Sequence, residues 1–243
     1  MSQVTPAATT PVILTISAAA SLTFAFEELG TLFEQQTGIQ VEFNFGATGQ
    51  LLQQIQSGAD VDIFAASDEA SVDTLEESGN IIADTKQVYA VGRLTLWTRA
   101  DSALEFKTIE DVNRPEVTNI AMANPDTAPY GLAAREAMQS TGIWEAVQSK
   151  LVFGENVSQT LQYADSGNVD VAFVPLSLSI HSNGKWVLLP TSLHQPVRQA
   201  LAVVKGTTHE VEARQFVAFL NSADGQAIMQ KFGFESPNNS SGK

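Results

Sequence analysis

Strand-like and helix-like stretches alternate along almost the whole chain, and no other feature restricts the fold so strongly. Residues 12–16 form an apolar run, after which Phe26, Leu29 and Phe33 recur at helical spacing until Thr37 and Gly38 close the helix. "IQVEFNF" alternates as a strand, and "GATGQLLQQIQSG" reads as a loop and a short helix from an N-cap Thr48 to a closing Gly58. "DVDIFAA" follows as a buried strand, and "SDEASVDTLEESG" as a helix opened by Asp68. After the long extended run "VYAVGRLTLWT", the strands "VTNIAMA", "KLVF" and "VDVAFV" are again separated by helices. "RQALAVVK" is extended, and two helices close the chain. This pattern predicts an α/β protein with largely parallel sheets.

An internal echo suggests how the elements are grouped. "QSGADVDIFAAS" (56–67) and "DSGNVDVAFVPLS" (165–177) share a helix end at Ser-Gly, a Val-Asp pair and a hydrophobic strand ending near a serine. In a chain of 243 residues this points to two lobes of about 100 residues each. The expected division is 11–91 with 200–236 as the first lobe and 92–199 as the second. Two extended crossings, near 89–98 and 197–205, would join them and leave a cleft between. Residues 1–10 and 237–243 are expected to be disordered.

Composition removes several classes of function. The balance of 27 acidic against 13 basic residues, a net charge of −14, argues against a nucleic-acid or anionic-membrane surface. Cysteine is absent, and with it disulfides, thiolate catalysis and cysteine metal sites. No run of 18 apolar residues is present to span a membrane. "MSQVTPAATTPV" carries neither a basic n-region nor an apolar h-region, so no secretory signal is read from it.

The junction "SAAASLTFAF" holds no charge of either sign although the chain is strongly acidic. Ser21 there and Thr48 in "FGATG" are N-cap candidates, and segments 124–131 and 154–158 offer similar small or hydroxyl-bearing helix starts. Plain capping would explain each alone. Several neutral helix starts facing one cleft would instead form an anion site, since unpaired N–H groups and helix dipoles both favour negative charge.

Catalytic and metal alternatives are poorly supported. The three histidines, His181, His194 and His209, lie in polar surroundings, and no Gly-x-Ser-x-Gly elbow occurs. "GATGQL" lacks the Gly-Lys-Ser/Thr ending of a phosphate loop. Asp60, Asp62 and Asp170 read as strand-start residues that bond backbone or face solvent. Of three tyrosines, Tyr89 falls in the presumed hinge strand and Tyr163 in a helix, a poor basis for a ferric site. Arg93 and Arg135 lie outside the four anion segments.

"AAASLT", "FGATGQLLQQIQSGADVDIFAASD", "YAVGRLTLW", "NPDTAPYGLAAREAM" and "FGENVSQTLQYADSG" together resemble, in order, the periplasmic molybdate-binding family (ModA) of ABC transporters. The likeness runs from about residue 12 to 234. It implies a two-lobed type II periplasmic-binding-protein fold, a non-enzymatic monomer, no cofactor and no nucleic-acid partner. The implied role is extracytoplasmic capture of molybdate or tungstate for delivery to a membrane permease. Carried across by motif, Ser21 and Thr48 supply hydroxyls while Tyr130 and Val157 supply backbone N–H groups. Ala20 and Gly49 are further candidate backbone donors, and no residue ligates the metal directly.

One departure stands out. Many members place a tyrosine after the "FV"-type strand, where this chain has Pro175, which carries no donor at all. Ser177 is the candidate substitute. The change leaves the ranking of molybdate, tungstate, vanadate and sulfate open, with ferric ion a more distant alternative.

Overall fold

The computed structural model describes residues 12–237. The expectation for the two termini falls outside that range, except at Pro237, which is part of a helical turn. The elements run β1 (Ile13–Ala19), α1 (Thr23–Thr37), β2 (Gln40–Gly46), α2 (Thr48–Gln56), β3 (Ile63–Ala66), α3 (Glu69–Glu77), β4 (Gln87–Gly92) and β5 (Leu94–Arg99). They continue with β6 (Ile120–Ala123), α4 (Pro129–Ser140), α5 (Trp144–Val147), β7 (Leu151–Gly154), α6 (Val157–Asp165) and β8 (Val171–Pro175). The last are α7 (Leu176–His181), β9 (Gly184–Leu188), β10 (Val197–Val203), α8 (Glu210–Leu220) and α9 (Ala223–Lys231).

These strands build two five-stranded sheets, ordered β2-β1-β3-β10-β4 and β7-β6-β8-β5-β9. The two orders match position by position. In each, three parallel strands (β2-β1-β3, β7-β6-β8) are followed by an antiparallel one (β10, β5). The echo noted in the sequence falls on β3 and β8, the central strand of each sheet. Its two aspartates do the same job: Asp62 accepts the Thr15 amide at 2.8 Å, and Asp170 accepts the Thr118 and Asn119 amides at 2.7 and 3.0 Å. Each carboxylate ties the approach to a central strand to the neighbouring parallel segment.

The first sheet is packed by α1, α8 and α9 through Leu14, Ile16, Phe26, Phe33, Phe216, Leu220 and Met229. Phe33 and Phe216 meet edge-on with ring centroids 5.3 Å apart. Removing one such ring costs about 3–5 kcal/mol, so the closing helices are integral to the first lobe. The second sheet is covered by α4 through Tyr130, Ala134, Ala137 and Met138 against Leu96, Ile120 and Phe173.

Two expectations need correction at the junction. "VYAVGRLTLWT" is not one strand: it breaks at Arg93, with β4 in the first sheet and β5 in the second. The second crossing is not the extended run 197–205, because Val197–Val203 pairs entirely with β3 and β4 in the first sheet. The chain crosses instead through 189–196, bounded by Pro190 and Pro196, residues that cannot donate to a ladder. A third tie reaches the same place. Glu235 exchanges both backbone hydrogen bonds with Val91 (2.8 and 2.9 Å), and its carboxylate takes the Arg93 guanidinium at 2.5 Å.

Candidate functional site

Parallel strands bring their carboxyl ends to one side of a sheet, and in such folds ligands collect there. Here the ends of both sheets face one another. The turns after β1, β2 and β3 meet the starts of α4 and α6 around a small cavity. Ser21, Thr48, Tyr130 and Val157 all line it, and so does Ala20. The structure thus brings together four residues spread over more than half of the sequence.

The local geometry differs from simple capping. Ser21 lies inside a 3-10 turn, Ala20–Leu22, and caps neither that turn nor α1. Thr48 is the first residue of α2, and Ala47 holds the cap position without a side-chain bond. Both hydroxyls are therefore released from the capping role expected of them. Thr48 Oγ1 accepts the Ser67 amide at 3.1 Å, and Ser21 Oγ lies 2.8 Å from Ser67 Oγ. A hydroxyl has one hydrogen and two lone pairs, so Thr48 keeps its hydrogen to give elsewhere. In the serine pair one hydrogen is spent internally and one is left over.

Backbone donors come from the second lobe. Tyr130 is the second residue of α4, behind Pro129, and Val157 is the first of α6. At these positions a helix offers its own N–H groups no partner. Asn156 caps α6 by accepting the Gln159 amide at 3.0 Å, which orients that helix start toward the cavity. Among the described residues no lysine, arginine, aspartate or glutamate lines the space. Arg93 pairs with Glu235 and Arg135 with Asp126, so neither guanidinium serves the site.

Two candidate donors are placed elsewhere. The Gly49 amide is given to the Thr127 carbonyl at 2.8 Å, and the Ser177 hydroxyl to the Ser21 carbonyl at 2.6 Å. Neither residue lines the cavity. Sequence reasoning in turn missed Ser67, the residue that ties Ser21 to Thr48. Aligning the echo on its Val-Asp pair sets Ser67 opposite Pro175, and that register was the available signal.

The Tyr130 phenol reaches the junction of the lobes. Its oxygen is 3.4 Å from Gln199 Nε2, and it rests on Gly92, where a β-carbon would come within 1.8 Å. Burial pushes this phenol above its usual range, and the nearby Ser21 hydroxyl pulls the other way. Tyr89 is pushed up by burial as well, with Tyr130 adding to the effect. Of the three tyrosines, Tyr130 alone lines the cavity. Among the described residues no group of three or more His, Asp or Glu side chains is placed to hold a metal ion.

The chain matches the family described as bacterial extracellular solute-binding protein over residues 14–235. The chain belongs to that family. Its similarity to the molybdate-binding protein ModA of Rhodobacter capsulatus is 33% identity, covering 94% of this chain and 90% of the relative. To the ModA of Azotobacter vinelandii it is 31% identical, covering 90% and 88%. The solved periplasmic molybdate-binding protein of Azotobacter vinelandii superposes with a TM-score of 0.88 at 27% identity, covering 92% of this chain and 99% of that one. These solute-binding proteins are the relatives to which the five sequence motifs pointed. Among the described residues no helix is long and apolar enough to cross a membrane.

Proposed function

We propose that this solute-binding protein captures a tetrahedral oxyanion, molybdate or tungstate, outside the cytoplasm and delivers it to an ABC transporter permease. One observation carries the reading. Neutral donors from both lobes surround a small cavity whose wall, among the described residues, carries no charged side chain. Hydroxyls of Ser21 and Thr48 on one side, and N–H groups of Tyr130 and Val157 on the other, meet a dianion with dipoles alone. An anion touching both lobes favours their approach through contacts that an open form lacks. The first lobe is 12–92 with 197–236 and the second 93–196, following the strand pairing. The protein acts as a monomer, by capture rather than catalysis, and uses no cofactor.

The test is a thermal-shift panel with molybdate, tungstate, vanadate, sulfate, phosphate and ferric ion. A ligand at 100 times its dissociation constant adds about 2.7 kcal/mol. For a chain of this size that is roughly 5–10 °C in Tm. Shifts with molybdate and tungstate are expected. A shift with ferric ion alone, or with none of the panel, overturns the reading, and a larger shift with sulfate or vanadate reassigns the anion.

A further inference from the structure

We propose that Gly49 and Ser177 are positioning residues that latch the two lobes together by hydrogen bonds that leave the bound anion untouched. The Gly49 amide reaches across to the Thr127 carbonyl at 2.8 Å, and the Ser177 hydroxyl to the Ser21 carbonyl at 2.6 Å. In each pair the partners belong to different sheets: Gly49 and Ser21 follow strands of the first, Thr127 and Ser177 strands of the second.

The topology gives the two latches unequal leverage. Gly49 follows β2, the edge strand farthest from β4, which leads into the crossing. Thr127 follows β6, which is separated from β5 by β8. Rotation about the crossing moves atoms in proportion to their distance from it, so this contact travels widest in hinge opening. Ser177 sits two residues beyond β8, the neighbour of β5, and travels less.

The residue type fits the task. Position 49 is the second of a helix, where alanine is the better helix former and glycine needs a reason. The reason is close approach. A methyl group there would meet the Thr127 α-carbon and carbonyl oxygen at 3.1 Å, tighter than ordinary contact. Glycine lets the two backbones come within bonding distance. Ser177, buried and directed at a buried carbonyl, plays the matching part from the other lobe.

The inference rests on the oxyanion reading only where affinity is measured. Gly49→Ala and Ser177→Ala are made in the full chain and compared with the parent by small-angle scattering, thermal unfolding and stopped-flow molybdate binding. Gly49→Ala should give a larger radius of gyration without ligand and a ligand-free Tm equal to or above the parent's. Its molybdate koff should rise about fivefold or more with kon little changed. Ser177→Ala should move scattering and koff the same way by a smaller factor. A glycine of merely structural importance would lower the ligand-free Tm and leave scattering and koff alone. Parental scattering in both variants overturns the latches. If the parent itself binds no oxyanion, the functional reading fails, while ligand-free scattering still decides the latches.

Discussion

Ser21 Oγ and Ser67 Oγ lie 2.8 Å apart, and the Ser67 amide in turn holds Thr48 Oγ1, so one serine sets both hydroxyls that face the cavity. Ser21→Ala and Thr48→Ala should each weaken molybdate binding by about 1.5–3 kcal/mol, the range for hydrogen bonds to charged groups. Ser67→Ala keeps its amide and loses only the hydroxyl, so it should cost about 0.5–1.5 kcal/mol. In calorimetry the Ser21→Ala/Ser67→Ala pair should cost less than the sum of the single changes, because they share one contact.

Tyr130 contributes through its backbone in the proposed site. Tyr130→Phe should therefore change the molybdate Kd by less than about threefold, while retaining the fold. A tenfold or larger loss in the same titration would move the phenol into the binding site.

The seat of that phenol is Gly92, where a β-carbon would lie 1.8 Å from the hydroxyl oxygen. Gly92→Ala should cost about 1–3 kcal/mol through overpacking. In a melting experiment this appears as a fall of roughly 2–10 °C. Adding Tyr130→Phe to the same chain should restore part of the loss, which a strained backbone at position 92 alone would not explain.

Acid stability should depend on Asp170. Burial works to raise this carboxyl but is outweighed by the Asn119 and Thr118 amides and the Thr118 hydroxyl, which leave it below its ordinary 3.8. A depressed carboxyl contributes its full stabilisation above the unfolded value and loses it as pH falls through the folded one. Asp170→Asn should thus melt below the parent at neutral pH, with the gap closing below about pH 4. Urea midpoints at several pH values check it.

Binding kinetics should respond to salt in an unusual direction. The chain carries −14 charges while the cavity carries none, so a dianion approaches against the overall field. Screening shortens that field to about 8–10 Å near physiological ionic strength. Molybdate kon should rise with added sodium chloride and koff should stay nearly constant, as stopped-flow traces at several salt concentrations would show.

Much of this was legible in the sequence, for identifiable reasons. Buried strands such as Ile63–Ala66 and helices with a clear apolar stripe announce themselves by period, and Asp68 does accept the Ser71 amide as an N-cap. Ser21 and Thr48 stood out as hydroxyls near helix starts, whereas Tyr130 and Val157 were named through the likeness of their motifs to the molybdate-binding family. Their roles were harder to read. Whether a hydroxyl caps depends on the backbone angles around it, and Ala47 occupies the cap that Thr48 was expected to fill. Gly49 and Ser177 carry suitable donors, but only the approach of the other lobe decides who receives them. The strand Gly184–Leu188 went unread because it is a short edge strand with partly exposed residues and no strong alternation.

The segment around Glu235 has a practical side. Because Glu235 is stitched to Val91 and Arg93, while Gly233 packs on Leu176 and Ile180, this segment straps the pivot from outside. Any truncation before Phe234 cuts the strap, and a tag pulling there loads the swivel directly. Fluorophores intended to report lobe motion belong on the outer helices instead.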